Sequence, residues 1–506
     1  MNASKFARRG FTTSLILSLG WIATPGIGHA QVMLSPAFNQ PKVDAEVSEP
    51  IRSLTLHPQG QPDPVLRYRL WPAPEKRRYR ATMTAVNRAL LLVGQVPTSD
   101  KQRFLDHYDT WSAASFDQFP VADAKADVLP FETAIAVLRS GENWMDTHYD
   151  LGIEEMSMQE KLGTLLPEFQ ETRDLARLLC VRARVAAAEK RWDDAIADLR
   201  LGFRLSEVAG HSTNTLLGRL IGSAISEVLM DATETMIQQP DCPNLYWALA
   251  GLPIDHLTEI GEAIEQESTL GMHIGSVAGL QKLPAEVIGH EESLERLRKI
   301  SNAFSSSLSS MYRSAGDSTW NQMTTGFQIT MMVQPSRELL AQNPDWKDRL
   351  SELSDAEVVL RASDFELSRI RDRWLAWSLL PKPVWQDCEE QRNQAMHVTG
   401  APVTLGGKLA RVILPDVQRA IEVGLDIRQT HHRLVTLEAI RMHADQFGVL
   451  PETITNLSPV PAWPDPVSRQ PFQYAKKSAT VATLARAAGS RNRDDITLEI
   501  NLEPNQ

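Results

Sequence analysis

Between residues 81 and 400 the apolar side chains recur three and four positions apart, and that period constrains the fold more than any other feature of the chain. The clearest run is Leu216, Leu217, Leu220, Ile221, Ala224, Ile225, Val228 and Leu229. It places paired apolar residues on one helix face every turn and ends near Gln239-Pro240. A short helix is expected next: Pro243 suits a first turn, Leu245, Ala248, Leu249 and Leu252 keep the spacing, and Pro253 stops it. Tyr246 and Trp247 then line a core or a groove, and Asp255 caps a helix running through Ile260 and Ile264. Ser354 with Glu357 reads as a capping box for a helix that reaches Leu380 and carries Trp374 and Trp377 on its packed side. Residues 301–335 are rich in Ser and Met, a composition of loosely packed helices or of an adaptable apolar surface.

Residues 178–205 read as a helical hairpin. Leu179, Ala183 and Ala186 share a face of the first helix, Glu189-Lys190-Arg191 makes a polar turn, and Ala195, Leu199, Gly202 and Leu205 recur on the second helix. Small residues at 183, 195 and 202 would let the two helices approach closely. The pattern resembles a tetratricopeptide-type (TPR-like) hairpin, departing from it at Lys190, where a glycine is common. No second copy follows at the fixed repeat offset, so an ordinary helical hairpin accounts for the same residues.

The period changes near the C-terminus. After a Gly/Pro/Thr break at 398–407, a long helix is expected from about Pro415 to Gln446. Phe472 and Tyr474, then Thr480–Leu484 and Ile496–Ile500, alternate as strands do. Residues 31–80 carry recurrent prolines and no helical period, and read as an extended arm on the surface. The expected fold class is therefore mostly α: a helical array with a TPR-like hairpin, and a long C-terminal helix packed on a small antiparallel β-sheet. The expected division is 1–30 as signal peptide, 31–80 as arm, 81–400 as helical domain and 401–506 as long helix plus sheet.

Residues 1–30 have the three-part plan of a cleavable export signal. Lys5, Arg8 and Arg9 precede an apolar stretch at Leu15–Ile22, Pro25 and Gly26 break it, and Gly28-His29-Ala30 offers small residues for cleavage before Gln31. Arg8-Arg9-Gly10-Phe11 is similar to a twin-arginine motif, which leaves the export route open. The mature chain is expected to be soluble, periplasmic or extracellular, with no integral membrane segment. Cleavage would take the formal charge from −11 to about −14. Such a field repels nucleic acid and anionic membranes, so neither is an expected partner. Lys76-Arg77-Arg78-Tyr79-Arg80 is the local exception, read as a solvated face or a clamp for acidic residues elsewhere in the chain. Three cysteines, Cys180, Cys242 and Cys388, allow at most one internal disulfide and leave the core to packing.

No stretch carries a specific catalytic, cofactor or metal signature. Gly406-Gly407-Lys408 lacks the flanking residues of a phosphate loop, having Pro402 and Leu409 where Gly and Ser or Thr are needed, and reads as a hinge. His431, His432, His443 and Glu438 share one helix at spacings too long for a single ion. Glu142, Asp146, His148, Asp150, Glu154 and Glu155, with Trp144, form an acidic cluster whose carboxylates could do acid–base work if they faced one another. His211-Ser212 reads as the cap of the following helix.

Two resemblances complete the reading. The long helix, Gly448–Thr453 (Gly-x-Leu-Pro-Glu-Thr), Asp465–Tyr474 and the terminal strands resemble the soluble part of type II secretion pseudopilins, without the membrane helix those proteins carry ahead of the long helix. Leu66–Leu70, Ala176–Leu179 and Pro243–Leu249 are similar to a family of large, exported, uncharacterised bacterial proteins, a resemblance that implies no catalytic residues. The expected function is an exported helical scaffold or protein-interaction protein. The alternative is a secreted hydrolase with a site built from dispersed carboxylates.

Overall fold

The computed structural model describes residues 51–149, 158–213, 215–264, 283–300, 330–378, 404–455, 457–487 and 497–503, with positions 380, 388 and 391. The side-chain surroundings of 158–169, 374, 375, 378 and 409–420 also lie outside the description. The expected signal peptide, the first part of the arm and most of the Ser/Met-rich stretch fall outside the described residues.

The chain is mostly helical, with a small mixed sheet of four strands. The helices include α1 (Met83–Gln95), α2 (Thr98–Ala113), α3 (Val121–Val128), α4 (Glu132–Ser140), α5 (Met158–Ala188), α6 (Trp192–His211), α7 (Leu216–Ile237), α8 (Tyr246–Ala250), α9 (Ile254–Leu257), α10 (Asp355–Ser378) and α11 (Leu405–Phe447), and residues 290–300 and 330–340 are helical as well. The strands are β1 (Ile51–Leu56), β2 (Arg78–Ala81), β3 (Trp144–Asp146), β4 (Gln473–Lys476), β5 (Val481–Ala485) and β6 (Thr497–Leu502). No helix among the described residues is long and apolar enough to cross a membrane.

The described residues fall into two compact units. One takes the described residues of 51–149, 168–259 and 421–503; the other takes those of 158–167, 260–264, 283–300, 330–378 and 404–420. The break at 398–407 is thus not the boundary of a unit.

In the first unit the sheet order is β1-β6-β5-β4. β4, β5 and β6 are antiparallel neighbours, Tyr474 opposite Leu484 and Ala482 opposite Ile500. β1 joins β6 in parallel, from Ile51 opposite Thr497 to Leu56 opposite Leu502. The sheet is therefore mixed rather than antiparallel, and its fourth strand comes from the stretch expected to be a surface arm. The reason is burial: Leu54 and Leu56 are nearly inaccessible, as are Ala482, Leu484, Leu498 and Ile500 on the same alternation. Leu70, Trp71 and Ala73 from the same stretch are also buried.

The hairpin of α5 and α6 turns at Lys190, whose φ of 58° is the left-handed geometry usually given to glycine. Lys190 and Arg191 donate backbone N–H groups to Ala187 and Ala186, closing the end of α5. Ala183 and Ala195 are buried, but Gly202 opens towards α7, where a Cβ would meet Leu229, rather than towards α5. The tight crossing is α6 on α7. Gly222 lies against Ser206 O and the Gly210 backbone, and Ser206 Oγ bonds Gly222 O at 2.8 Å and Ser226 Oγ at 2.6 Å. Thr215, not Ser212, caps α7 by accepting from Gly218 N at 3.1 Å.

In the second unit Leu339, Leu340, Leu353, Val358 and Ala362 form a core edged by Trp346, Leu350 and Phe365. Ser354 Oγ accepts from Glu357 N as a cap should, while the Glu357 carboxylate turns away to the N–H groups of Ile288 and Gly289, each at 3.0 Å. Thr404 starts α11 about ten residues before Pro415: its Oγ1 accepts from Gly407 N, and its N–H donates to Glu366. Gly406 and Gly407 are therefore helical, and they are glycine because Ser363 O and the Glu366 carboxylate occupy the space of a side chain.

Candidate functional site

The long helix α11 threads a buried polar seam through the first unit. Arg441 and Glu438 are both fully buried and joined by two contacts of 2.8 and 3.1 Å. Arg441 also donates to the carbonyls of His57 at 3.0 Å and Cys242 at 2.7 Å. Glu438 accepts from Leu245 N at 3.1 Å, and its own carbonyl accepts from Asn244 Nδ2 at 2.9 Å. Burial pushes the Glu438 carboxyl up from its usual range, and Arg441 pulls it back. The pair thus fastens three segments distant in sequence: 57–59, 242–245 and α11. Glu234 of α7 does the same between Arg52 of β1 and Arg433 of α11.

The histidines of α11 belong to this fastening. His431 is buried and bonds Leu249 O at 2.9 Å through Nε2. His432 reaches Pro464 O at 2.7 Å and His443 reaches Ser458 O at 3.2 Å. Burial holds the His431 imidazole down at about 4, so Nε2 donates from a neutral ring. No group of three or more metal-ligating side chains occurs among the described residues.

The acidic cluster is divided. Glu142 is buried and bonded to Arg200 Nε, whereas Asp146 is exposed at the end of β3 and accepts from His148 N at 3.2 Å. Asp150, Glu154 and Glu155 lie outside the described residues. Trp144 is half-buried, with its carbonyl taken by Thr82 Oγ1 and Arg204 Nη2. All three cysteines are free thiols. Cys180 and Cys242 are buried, and burial raises both, Cys242 to about 12, which makes them poor nucleophiles.

One cluster has no sequence signal. At the end of α6, Arg204 is buried beneath Trp71, its guanidinium 4.9 Å from the ring centre, and is paired with Glu207. Burial lowers Arg204 to about 10. Glu207 also meets His256 Nε2 at 3.0 Å, and the His256 ring is half-exposed. His211 stacks on His256 at 4.1 Å and contacts its carbonyl at 3.0 Å. Arg219 Nη1 lies against both ring nitrogens of His211. Burial first, then Arg219 and His256, depress His211 to about 3. Glu207, His211 and His256 come from α6 and α9, so no local spacing advertises them.

The surface differs from this interior at β2. Arg78, Tyr79, Arg80 and Ala81 are all exposed, as are Lys76 and Arg77, and Tyr79 is 95% accessible. Among the described residues β2 pairs only with β3, in parallel, Arg78 opposite Trp144 and Ala81 opposite Asp146. The guanidinium of Arg77 donates to Pro72 O at 3.1 Å, and that of Arg78 to the carbonyls of Glu75 and Arg77 at 3.0 and 2.9 Å. Arg80 lies 5.9 Å from the centre of the Trp144 ring. None of Lys76, Arg77, Arg78 and Arg80 meets a carboxylate among the described residues, so the internal clamp expected from sequence is not found there. The chain matches no known protein family, no curated protein and no solved structure.

Proposed function

We propose that this chain is an exported helical scaffold that binds a protein or peptide segment, with a TPR-like hairpin at α5–α6, and with a pseudopilin-like C-terminal stretch in which the long helix packs on the sheet. The observation that carries the reading is how its inner charges are used. The buried carboxylates Asp198, Glu234, Glu357, Glu366 and Glu438 are each held by arginine, hydroxyl or backbone N–H donors. Such groups fasten distant segments and hold a rigid frame; they are not available to a substrate. The hydrolase alternative needs two carboxylates facing one space, and Glu142 on Arg200 with Asp146 at the surface offers less support for it. Export is supported by the composition of residues 1–30.

The test is crosslinked capture on the tagged full chain in the exported fraction, followed by rebinding of the purified partner, alongside a screen for glycoside, ester and peptide hydrolysis. Saturable rebinding without turnover is expected. Turnover that Glu207→Gln abolishes, with no partner that rebinds, would overturn the proposal.

A further inference from the structure

We propose that β2 is the docking strand for an acidic, extended polypeptide segment. The inference rests on the scaffold reading above and names the partner's chemistry. Four cations lie within five residues, all exposed and none neutralised by a carboxylate among the described residues, in a chain whose formal charge is −11. Several exposed and half-exposed arginines elsewhere are matched by carboxylates, as Arg103 is by Asp100 and Asp127, and Arg191 by Glu189 and Asp194; β2 differs in gathering four cations side by side. Arg77 and Arg78 are also anchored by main-chain carbonyls, which limits the side-chain freedom they would lose on binding.

Three features select a short acidic polypeptide. Guanidinium forks match carboxylates in two-point geometry. β2 belongs to a two-stranded sheet, so one of its edges is unpaired among the described residues and suits an extended chain, as in strand addition. The ring of Tyr79, between Arg78 and Arg80, offers apolar area to the peptide's other side chains. A long polyanion or an anionic bilayer would meet the negative field of the whole molecule. A few carboxylates on β2 feel mainly the charges within the screening length of about 8 Å at physiological salt.

The test is fluorescence anisotropy of a labelled short peptide alternating Glu and Val, titrated with the full chain, against the same peptide with Gln for Glu. The Glu peptide is expected to bind saturably. Arg78→Glu with Arg80→Glu should weaken it by more than about tenfold, and Tyr79→Ala by a smaller factor. All three positions are exposed, so an unchanged unfolding midpoint certifies the variants. Equal binding of Glu and Gln peptides, or of wild type and the charge-reversed chain, would overturn the proposal. So would tighter binding of a single-stranded DNA oligonucleotide or of phosphatidylglycerol vesicles. If the charge-reversed chain still rebinds its captured partner fully, the β2 assignment falls and the scaffold reading stands; if no partner rebinds wild type either, the scaffold reading falls with it.

Discussion

Replacing Gly222 by alanine adds one methyl group at the crossing of α6 and α7. That methyl would lie 2.7 Å from Ser206 O and 2.9 Å from the Gly210 backbone, and neither neighbour is a flexible side chain. Alanine is the better helix former by about 1 kcal/mol. Against that, overpacking a fixed contact costs about 1–3 kcal/mol. Separating the helices also weakens the two hydrogen bonds of Ser206, at about 1 kcal/mol each. The steric terms win, and the net loss is about 2–4 kcal/mol. Gly94 provides the control. It sits in the last turn of α1 with nothing within 4 Å of an added Cβ, so Gly94→Ala should be neutral or stabilise by up to about 1 kcal/mol. Urea unfolding followed by circular dichroism reads both at comparable slope, and limited proteolysis assigns the affected transition to the unit holding α6 and α7. A Gly222→Ala midpoint at or above wild type would refute the close-crossing argument.

Three further outcomes are expected. Arg441→Met strands a buried carboxylate and should cost about 3–5 kcal/mol, most of it recovered when Glu438→Leu is added; equal loss in the double variant would contradict the pairing. His431 and His211 are held neutral in the folded chain, near 4 and 3 against about 6.5 when unfolded, so stability complete above about pH 6.5 should fall as the pH drops towards 4. His431→Gln should flatten that slope in urea midpoints measured across the window, and an unchanged slope would count against it. Phe472 is buried beside β4, and Phe472→Ala should cost about 3–5 kcal/mol. Since β4 and β1 share a sheet, proteolytic cuts should appear at 51–59 as well as after Gly448, and cuts confined to the C-terminus would speak against the mixed sheet.

Local patterns were legible in the sequence and long-range ones were not. The run Leu216–Leu229 marks α7, and alternation at 480–484 and 496–500 finds β5 and β6 to within two residues. Lys190 stands out as an unusual residue at a turn, and its positive φ is the physical content of that oddity. β1 was hidden because a parallel pair needs a crossover and leaves no hairpin signal, and the prolines around it suggested an arm. The sequence puts the start of α11 near Pro415 because Gly406-Gly407 reads as a break, whereas in the structure glycine serves helix approach and α11 begins at Leu405. The Glu207–His256 contact joins residues 49 apart with no shared period, and the acidic cluster divides because Arg200 draws Glu142 inward. By contrast, the cationic β2 is a local feature, visible in both the sequence and the structure.

The binding role is tested most directly by hydrogen–deuterium exchange of the full chain, alone and saturated with the protein it captures in the exported fraction. Added protection is expected over an exposed surface that includes residues 76–81, with the buried amides of α7 and of the Arg441 end of α11 unchanged. No added protection at saturating partner, or protection confined to Glu207 and His256 in the presence of a substrate that is turned over, would contradict that role.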